Sequence, residues 1–231
     1  MPKRLKAENS RCIAQSVTFM NMKIIRNLKP ETQNLIIYPV ILSVPNQKQR
    51  LTGREKVTFL SRHARKALEI SAQKHQIQLG DLKKNENGVP LPFNGNYWSV
   101  THKTEYVGGV IARARIGIDL EEIRSFKEAL YKKTACESEW ELSGSDKITL
   151  FFRYWTSKES VLKASGTGVR DLLKCRIERI IDDNHLVIYY KERRWYIEHY
   201  YFNGHIASVV KNSSDVEWAF FSDLSDKYFY Y

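Results

Sequence analysis

The stretch from Tyr106 to Glu121 constrains the fold more than any other part of the chain. Ala112, Ala114, Ile116, Ile118 and Leu120 alternate with Arg113, Arg115, Gly117, Asp119 and Glu121. A period of two with one apolar and one charged face predicts a continuous, half-buried strand over 106–121. Further on, the period changes. Ile148, Phe151, Phe152, Trp155 and Leu162 form an apolar stripe at helical spacing. This predicts a helix over 148–164, with Gly166 as its stop.

Weaker signals fill in the rest. Leu35 to Val44 is short, apolar and β-branched, which predicts a strand. Pro39 within it cannot donate a ladder hydrogen bond, so an edge position or a bulge is expected. Thr52 to Lys74 reads as a helix with Phe59, Leu60, His63, Ala67, Leu68 and Ile70 inward and Arg54, Lys56, Arg62, Arg65 and Lys66 on its other faces. Asn85 to Pro90 is a turn, and Trp98 opens an extended stretch. After Cys175, short runs at 186–190, 195–202, 206–210 and 217–221 predict an antiparallel sheet. Residues 11–34 show no clean period, and residues 1–10 are polar, basic and expected to be mobile.

Composition excludes several classes. The 231 residues are 42% hydrophobic, enough apolar material for a core, so wholesale disorder is excluded. The 3 cysteines are odd in number and far apart, which supports neither a disulfide framework nor a zinc site and makes a reducing compartment the default. No apolar run approaches the ~20 residues of a membrane span, and no signal-type segment follows the basic start, so a cytoplasmic protein is expected. The formal net charge is +11. Residues 1–115 hold 20 Lys and Arg against 7 Asp and Glu, whereas residues 116–231 hold 17 against 19. A basic surplus confined to the first half points to a phosphate-bearing or acidic partner.

Eight positions stand out chemically. Asp119 and Glu121, two apart on a strand, face the same side roughly 7 Å apart, close enough for one hard cation between them. The alternative is a solvated strand end beside Arg113 and Arg115. Glu159 lies in or beside the apolar stripe, where carboxylates are rare without a partner, and Lys163 is one turn on. Taken alone, an ordinary i,i+4 surface pair is the better reading of these two. His102 after Val100-Thr101, and the basic positions Lys56, Arg62 and Arg65, read either as anion ligands or as solvated surface.

The combination is more specific. Gly117-Ile118-Asp119-Leu120-Glu121, followed about forty residues later by Trp155-Thr156-Ser157-Lys158-Glu159-Ser160-Val161-Leu162-Lys163, resembles the paired signature of the 4′-phosphopantetheinyl transferase superfamily, surfactin/enterobactin type. That signature is Gly-Ile/Val-Asp-x-Glu and then Trp/Phe-x-x-Lys-Glu-x-x-x-Lys. Gly88-Val89-Pro90, Ser99-Val100-Thr101-His102 and the helix carrying Phe59-Leu60-Ser61-Arg62 extend the likeness over about residues 52–168.

The resemblance implies an α+β fold of two similar lobes with a pseudo-twofold relation. Each lobe would be a small antiparallel sheet packed with a long helix, and the active site would lie between them. Residues 1–115 would form a basic lobe that binds coenzyme A phosphates, and residues 116–231 a lobe carrying the metal and catalytic residues. Asp119, Glu121 and Glu159 would hold Mg²⁺ on the coenzyme A pyrophosphate. Glu159 would also be the base for the serine hydroxyl of an apo acyl or peptidyl carrier protein. Lys163 would steady the pyrophosphate and the leaving 3′,5′-ADP. His102, Lys56, Arg62 and the Thr101 hydroxyl would bind coenzyme A phosphates. Glu139 matches a glutamate found between the motifs in several members. Val89 and Lys103 depart from the family pattern, and Lys103 would replace a phosphate-binding charge lost at Val89.

The implied reaction moves the 4′-phosphopantetheine arm of coenzyme A onto a carrier, as in fatty-acid, polyketide and nonribosomal peptide biosynthesis. A fused two-lobe chain can work as a monomer. Two other classes compete. One is a coenzyme A or nucleotide-binding protein without transferase activity, and the intact carboxylates and Lys163 argue against it. The other is a basic nucleic-acid binder or metal-dependent nuclease, which no recognised nucleic-acid motif supports.

Overall fold

The computed structural model describes residues 35–222. Cys12 and the basic start of the chain lie outside the described residues. The elements, in order, are β1 (Ile36–Ile37), β2 (Val40–Ser43), α1 (Asn46–Gln49), α2 (Gly53–Lys74), β3 (Tyr97–His102), β4 (Tyr106–Ala112) and β5 (Ile118–Glu122). Then come α3 (Glu128–Thr134), α4 (Glu137–Trp140), α5 (Lys147–Ser165), a 3₁₀ segment (Val169–Lys174), β6 (Arg176–Ile180), β7 (His185–Tyr190), β8 (Arg193–Phe202), β9 (His205–Val210), β10 (Asp215–Val216) and β11 (Ala219–Phe221).

Two sheets each pack against one long helix. The first has the order β11-β2-β4-β3 and is covered by α2. The second, β5-β9-β8-β7-β6, is antiparallel throughout and carries α5. In the first sheet β11 is parallel to β2, so the end of the described chain returns to the sheet of β2, while β1 pairs parallel with β10 in a separate two-stranded sheet. Leu60, Ala64 and Ala67 of α2 pack on Val40, Leu42 and Val107. Ile41, on the other face of β2, packs instead with Leu120 of β5 and Ala207 of β9. β2 is thus buried on both faces, which is why its sequence is continuously apolar rather than alternating.

The expected strand over 106–121 is two strands. β4 ends at Ala112, β5 begins at Ile118, and the five residues between them carry the chain from one sheet to the other. Alternation across 112–120 matches a strand locally, but every residue from Val107 to Ala112 is buried, as befits a strand between β2 and β3 under α2. Pro39 also departs from expectation. β2 is internal, paired with both β11 and β4, and Pro39 breaks the apolar run into β1 and β2 just before the ladder starts. There its missing N–H costs nothing, and its carbonyl accepts from Ala219 N–H at 2.9 Å.

α5 follows its sequence signals. Asp146 accepts hydrogen bonds from the N–H groups of Ile148 and Thr149, and Gly166 closes the helix in the left-handed region at φ 71°. Ile148 is the exception in the predicted stripe, because it is exposed. Trp140, Phe126 and Tyr131 pack around Phe151, Phe152 and Tyr154. Buried Arg153, Ser157, Lys158 and Ser160, outside the predicted stripe, show that most of α5 is core.

Candidate active site

Close approach of backbone to backbone places the site. A Cβ on Gly117 would lie 1.9 Å from the Ser160 carbonyl oxygen, so only glycine lets the start of β5 rest on α5. Gly109 does the same on the other sheet, where a Cβ would sit 2.5 Å from the Leu68 amide nitrogen of α2. With β5 seated in this way, its alternating side chains Asp119 and Glu121 line one cavity with Glu159 and Lys163 of α5. The Ser99 hydroxyl, accepting from Ile118 N–H at 3.2 Å, ties β3 to the same point.

Each carboxylate has a different environment. Asp119 is buried; its Oδ1 accepts from Lys163 Nζ at 2.7 Å and from the Thr101 hydroxyl at 3.1 Å, while its Oδ2 has no partner. Glu121 Oε1 lies 2.6 Å from Lys103 Nζ and accepts from Trp155 Nε1 at 3.1 Å. Burial and the Asp119 charge raise the Glu121 carboxyl, and Lys103 counteracts them. No hydrogen bond or ion pair among the described residues holds Glu159. Burial, with the charge of Asp119, pushes its carboxyl up to about 7 against the pull of Lys163.

The cavity holds about 540 Å³. It is also lined by His102 at the end of β3, Arg65 of α2 and Lys84. Burial, then Arg65 and Lys163, lowers the Lys84 ammonium. Burial, then Lys163, lowers His102, with Lys103 and Lys84 adding to the effect. Cations crowded in this way favour an anion between them. A groove of about 730 Å³ continues from the cavity, sharing Lys84, Val100, Glu159 and Lys163, and runs between the Gly88-Val89-Pro90 turn and Gly166–Asp171.

The structure therefore brings together Asp119, Glu121, Glu159, Lys163, Thr101 and His102. It does not bring Lys56 or Arg62 to the cavity. Lys56 Nζ donates to Thr104 Oγ1 at 3.1 Å, and Arg62 lines a separate depression with Lys48 and Arg54. Arg65, one helical step from Arg62, is the α2 cation at the cavity. Lys84 had no periodic signal to mark it, since it precedes a turn. The Thr101 hydroxyl donates to Asp119 rather than being left free for a phosphate.

Glu139 and Lys158 form a second, separate centre. They are 2% and 0% exposed at the side chain and pair at 2.8 Å. Glu139 also accepts from the N–H groups of Cys136 and Ile177, and Lys158 donates to the Thr134 carbonyl oxygen. This pair joins α4, α5 and β6 and does not line the cavity.

Among the described residues no three His, Cys, Asp or Glu side chains stand as a ready metal cage. Two of the three carboxylates at the cavity are taken up by lysines. The donors nevertheless fit a hard divalent cation. The buried, unpartnered Oδ2 of Asp119 and the free carboxylate of Glu159 are the oxygen ligands such a cation takes.

Residues 115–210, which span β5 to β9 and include α5, match a family described as the 4′-phosphopantetheinyl transferase superfamily. Over that segment the chain is similar to this superfamily. The motif resemblance to its surfactin type holds. The chain is 28% identical over 112 residues to the 4′-phosphopantetheinyl transferase gsp of Aneurinibacillus migulanus, covering 44% of this chain and 47% of that protein. It is 45% identical over 69 residues to the 4′-phosphopantetheinyl transferase HetI of a Nostoc species, covering 27% and 29%. Over 103 residues it is 27% identical to the 4′-phosphopantetheinyl transferase psf-1 of Bacillus pumilus, covering 42% and 44%. The chain thus matches less than half the length of each of these curated relatives.

Proposed function

We propose that this protein transfers the 4′-phosphopantetheine arm of coenzyme A to a serine of an apo acyl or peptidyl carrier protein and releases 3′,5′-ADP. The observation that carries this reading is one cavity lined by three carboxylates together with Lys163, His102, Arg65 and Lys84. Such a lining suits a substrate whose phosphates need both a metal and direct cationic contacts. Asp119, Glu121 and Glu159 would hold Mg²⁺. When bound, the ion neutralises charge on the pyrophosphate, which is most of what phosphoryl transfer requires.

The chain's own residues supply the remainder. The serine oxygen forms a bond to the phosphorus that carries the pantetheine arm, and the bond from that phosphorus to the bridging oxygen of 3′,5′-ADP breaks. Glu159, unpaired and in a poorly solvated wall, takes the serine proton. Lys163, anchored on the Ile118 carbonyl oxygen and Asp119, presents its charge to the pyrophosphate and the leaving group. His102, Arg65 and Lys84 bind the remaining phosphates. Thr101 positions Asp119 and does not itself bind phosphate in this arrangement.

The division into a phosphate-binding lobe (residues 1–115) and a metal-binding lobe (116–231) fits the change of sheet between Ala112 and Ile118, with β11 as the strand that crosses back. We place the protein in the cytoplasm, acting as a monomer. Among the described residues no helix is long and apolar enough to cross a membrane. The test is a mass-shift assay with coenzyme A, Mg²⁺ and a panel of apo carriers. Each modified carrier gains one phosphopantetheine. Unchanged carrier masses across the panel, with coenzyme A bound, would instead favour a binding protein without transferase activity.

A further inference from the structure

Two ammonium groups reach the carboxylates at the cavity, and they are held differently. Lys163 projects from α5 and has two partners, the Ile118 carbonyl oxygen and Asp119 Oδ1. Lys103 follows the last residue of β3, and its side chain has one partner, Glu121 Oε1, at 2.6 Å. Its backbone is fixed by donation to the Tyr106 carbonyl oxygen, so the side chain starts from a defined point at the rim. The Lys103 side chain is 38% exposed and Glu121 14%, so the lysine can leave into water while the carboxylate stays in place.

Charge explains why the lysine is there. Asp119, Glu121 and Glu159 carry three negative charges around one half-buried cavity, and each raises the energy of ionising another. Lys163 offsets one of them. Lys103 offsets a second, on the oxygen that also receives the Trp155 indole N–H. A divalent cation on Glu121 would sit beside the ammonium, and two cations sharing one carboxylate oxygen repel.

We propose that Lys103 is a built-in counter-cation for Glu121, which a divalent metal must displace, so that it sets the metal affinity of the site below what the three carboxylates alone would give. This rests on the metal site of the proposed transferase but concerns a residue outside the ligand set. The position also makes Lys103 a rim residue rather than a phosphate ligand in the metal-free protein.

The test is calorimetric titration of the full chain with Mn²⁺ alone, without coenzyme A or carrier. The Lys103→Met variant keeps the length of the side chain and removes its charge; Lys103→Arg keeps the charge. Lys103→Met is expected to bind Mn²⁺ roughly three- to tenfold more tightly than the unaltered protein, the range set by a half-exposed ion pair. Lys103→Arg is expected to stay within about twofold of the unaltered protein if the charge is the cause. Equal or weaker binding by Lys103→Met, including no binding by either protein, overturns the proposal. An equal gain in Lys103→Arg overturns it too, because the charge would then not be the cause. The carrier mass-shift assay reports on the transferase reading separately. Active transfer with unaltered Mn²⁺ affinity in Lys103→Met removes only the role of Lys103. Tighter Mn²⁺ binding without transfer removes the transferase reading and keeps that role.

Discussion

Helix α5 carries two lysines five residues apart, and each pairs with a carboxylate in a different way. Lys158 and Glu139 are closed off from water and almost fully satisfied, by the Thr134 carbonyl oxygen and by the N–H groups of Cys136 and Ile177. Lys163 and Asp119 open onto a cavity, with one oxygen of Asp119 unpartnered and Glu159 beside it unpaired. The same two side-chain types thus form a closed pair in one place and one open to a cavity in the other. What separates them is how completely the hydrogen-bonding capacity is used. A filled network locks elements together, whereas an unfilled one is ready for a ligand.

Substitutions on the two sides should therefore fail in opposite ways. Asp119→Ala or Glu159→Ala is expected to lower carrier modification by at least about a thousandfold while the melting temperature stays near that of the unaltered protein. Near-normal turnover in either variant would break the contrast. Glu139→Gln should do the reverse. Leaving Lys158 buried without its partner costs on the order of 3–5 kcal/mol, read as a lower urea midpoint, while the folded fraction keeps its transfer rate. Gly117→Ala should do some of each. Its Cβ would meet the Ser160 carbonyl oxygen, so β5 must lift off α5; a loss of about 2–3 kcal/mol in stability is expected, with weaker transfer because Asp119 and Glu121 move with the strand.

The smallest expected effect is a pH dependence that differs in sign between the two glutamates. The Glu159 carboxyl, raised to about 7, keeps a proton in the folded state that the unfolded chain loses near 4.5. Its contribution to stability therefore falls as pH rises from about 4.5 to 7 and is least favourable above that. Glu159→Gln should stabilise the metal-free protein at pH 8 relative to pH 5, by about 1–2 kcal/mol after allowance for solvent screening. For Glu139, burial raises the carboxyl, but Lys158 and the two N–H donors outweigh it and hold it below its ordinary value. Its stabilisation is present above the unfolded pKa and is lost as pH falls through the lowered one. Melting in EDTA across pH 3–9 resolves both, and equal slopes on the acid and neutral sides would remove the distinction.

Much of the fold could be read locally. α2 and α5 are within one residue of their expected starts and ends, because caps and apolar periodicity are local signals. The strands from β7 to β9 were legible for the same reason, whereas β6, Arg176-Ile177-Glu178-Arg179-Ile180, is too polar to stand out. The run at 217–221 was expected in the same antiparallel sheet, but only Ala219–Phe221 is a strand, and it pairs parallel with β2 of the other sheet. The strand over 106–121 was misread because the alternation of 112–120 continues across a segment that leaves one sheet for the other, and only the neighbouring strands reveal the break. At the site, the three carboxylates and Lys163 were identifiable from motif spacing. Arg65 was one of three basic candidates that spacing did not separate, and Lys84 and the tie between Thr101 and Asp119 could not be read, because each depends on elements far apart in sequence.

The sequence by itself determined the composition of the carboxylate face and the helix that presents it. Gly117, Asp119, Glu121, Glu159 and Lys163 stand at spacings that a strand and a helix turn to one side. Tertiary structure alone decided what each charge touches. It put Lys103 on Glu121, buried Glu139 with Lys158 away from the cavity, and left Arg62 outside while Arg65 faces in. The physical reason is that local periodicity sets which face a residue occupies. The energy of a charge depends on the partners and water that the rest of the fold brings to it.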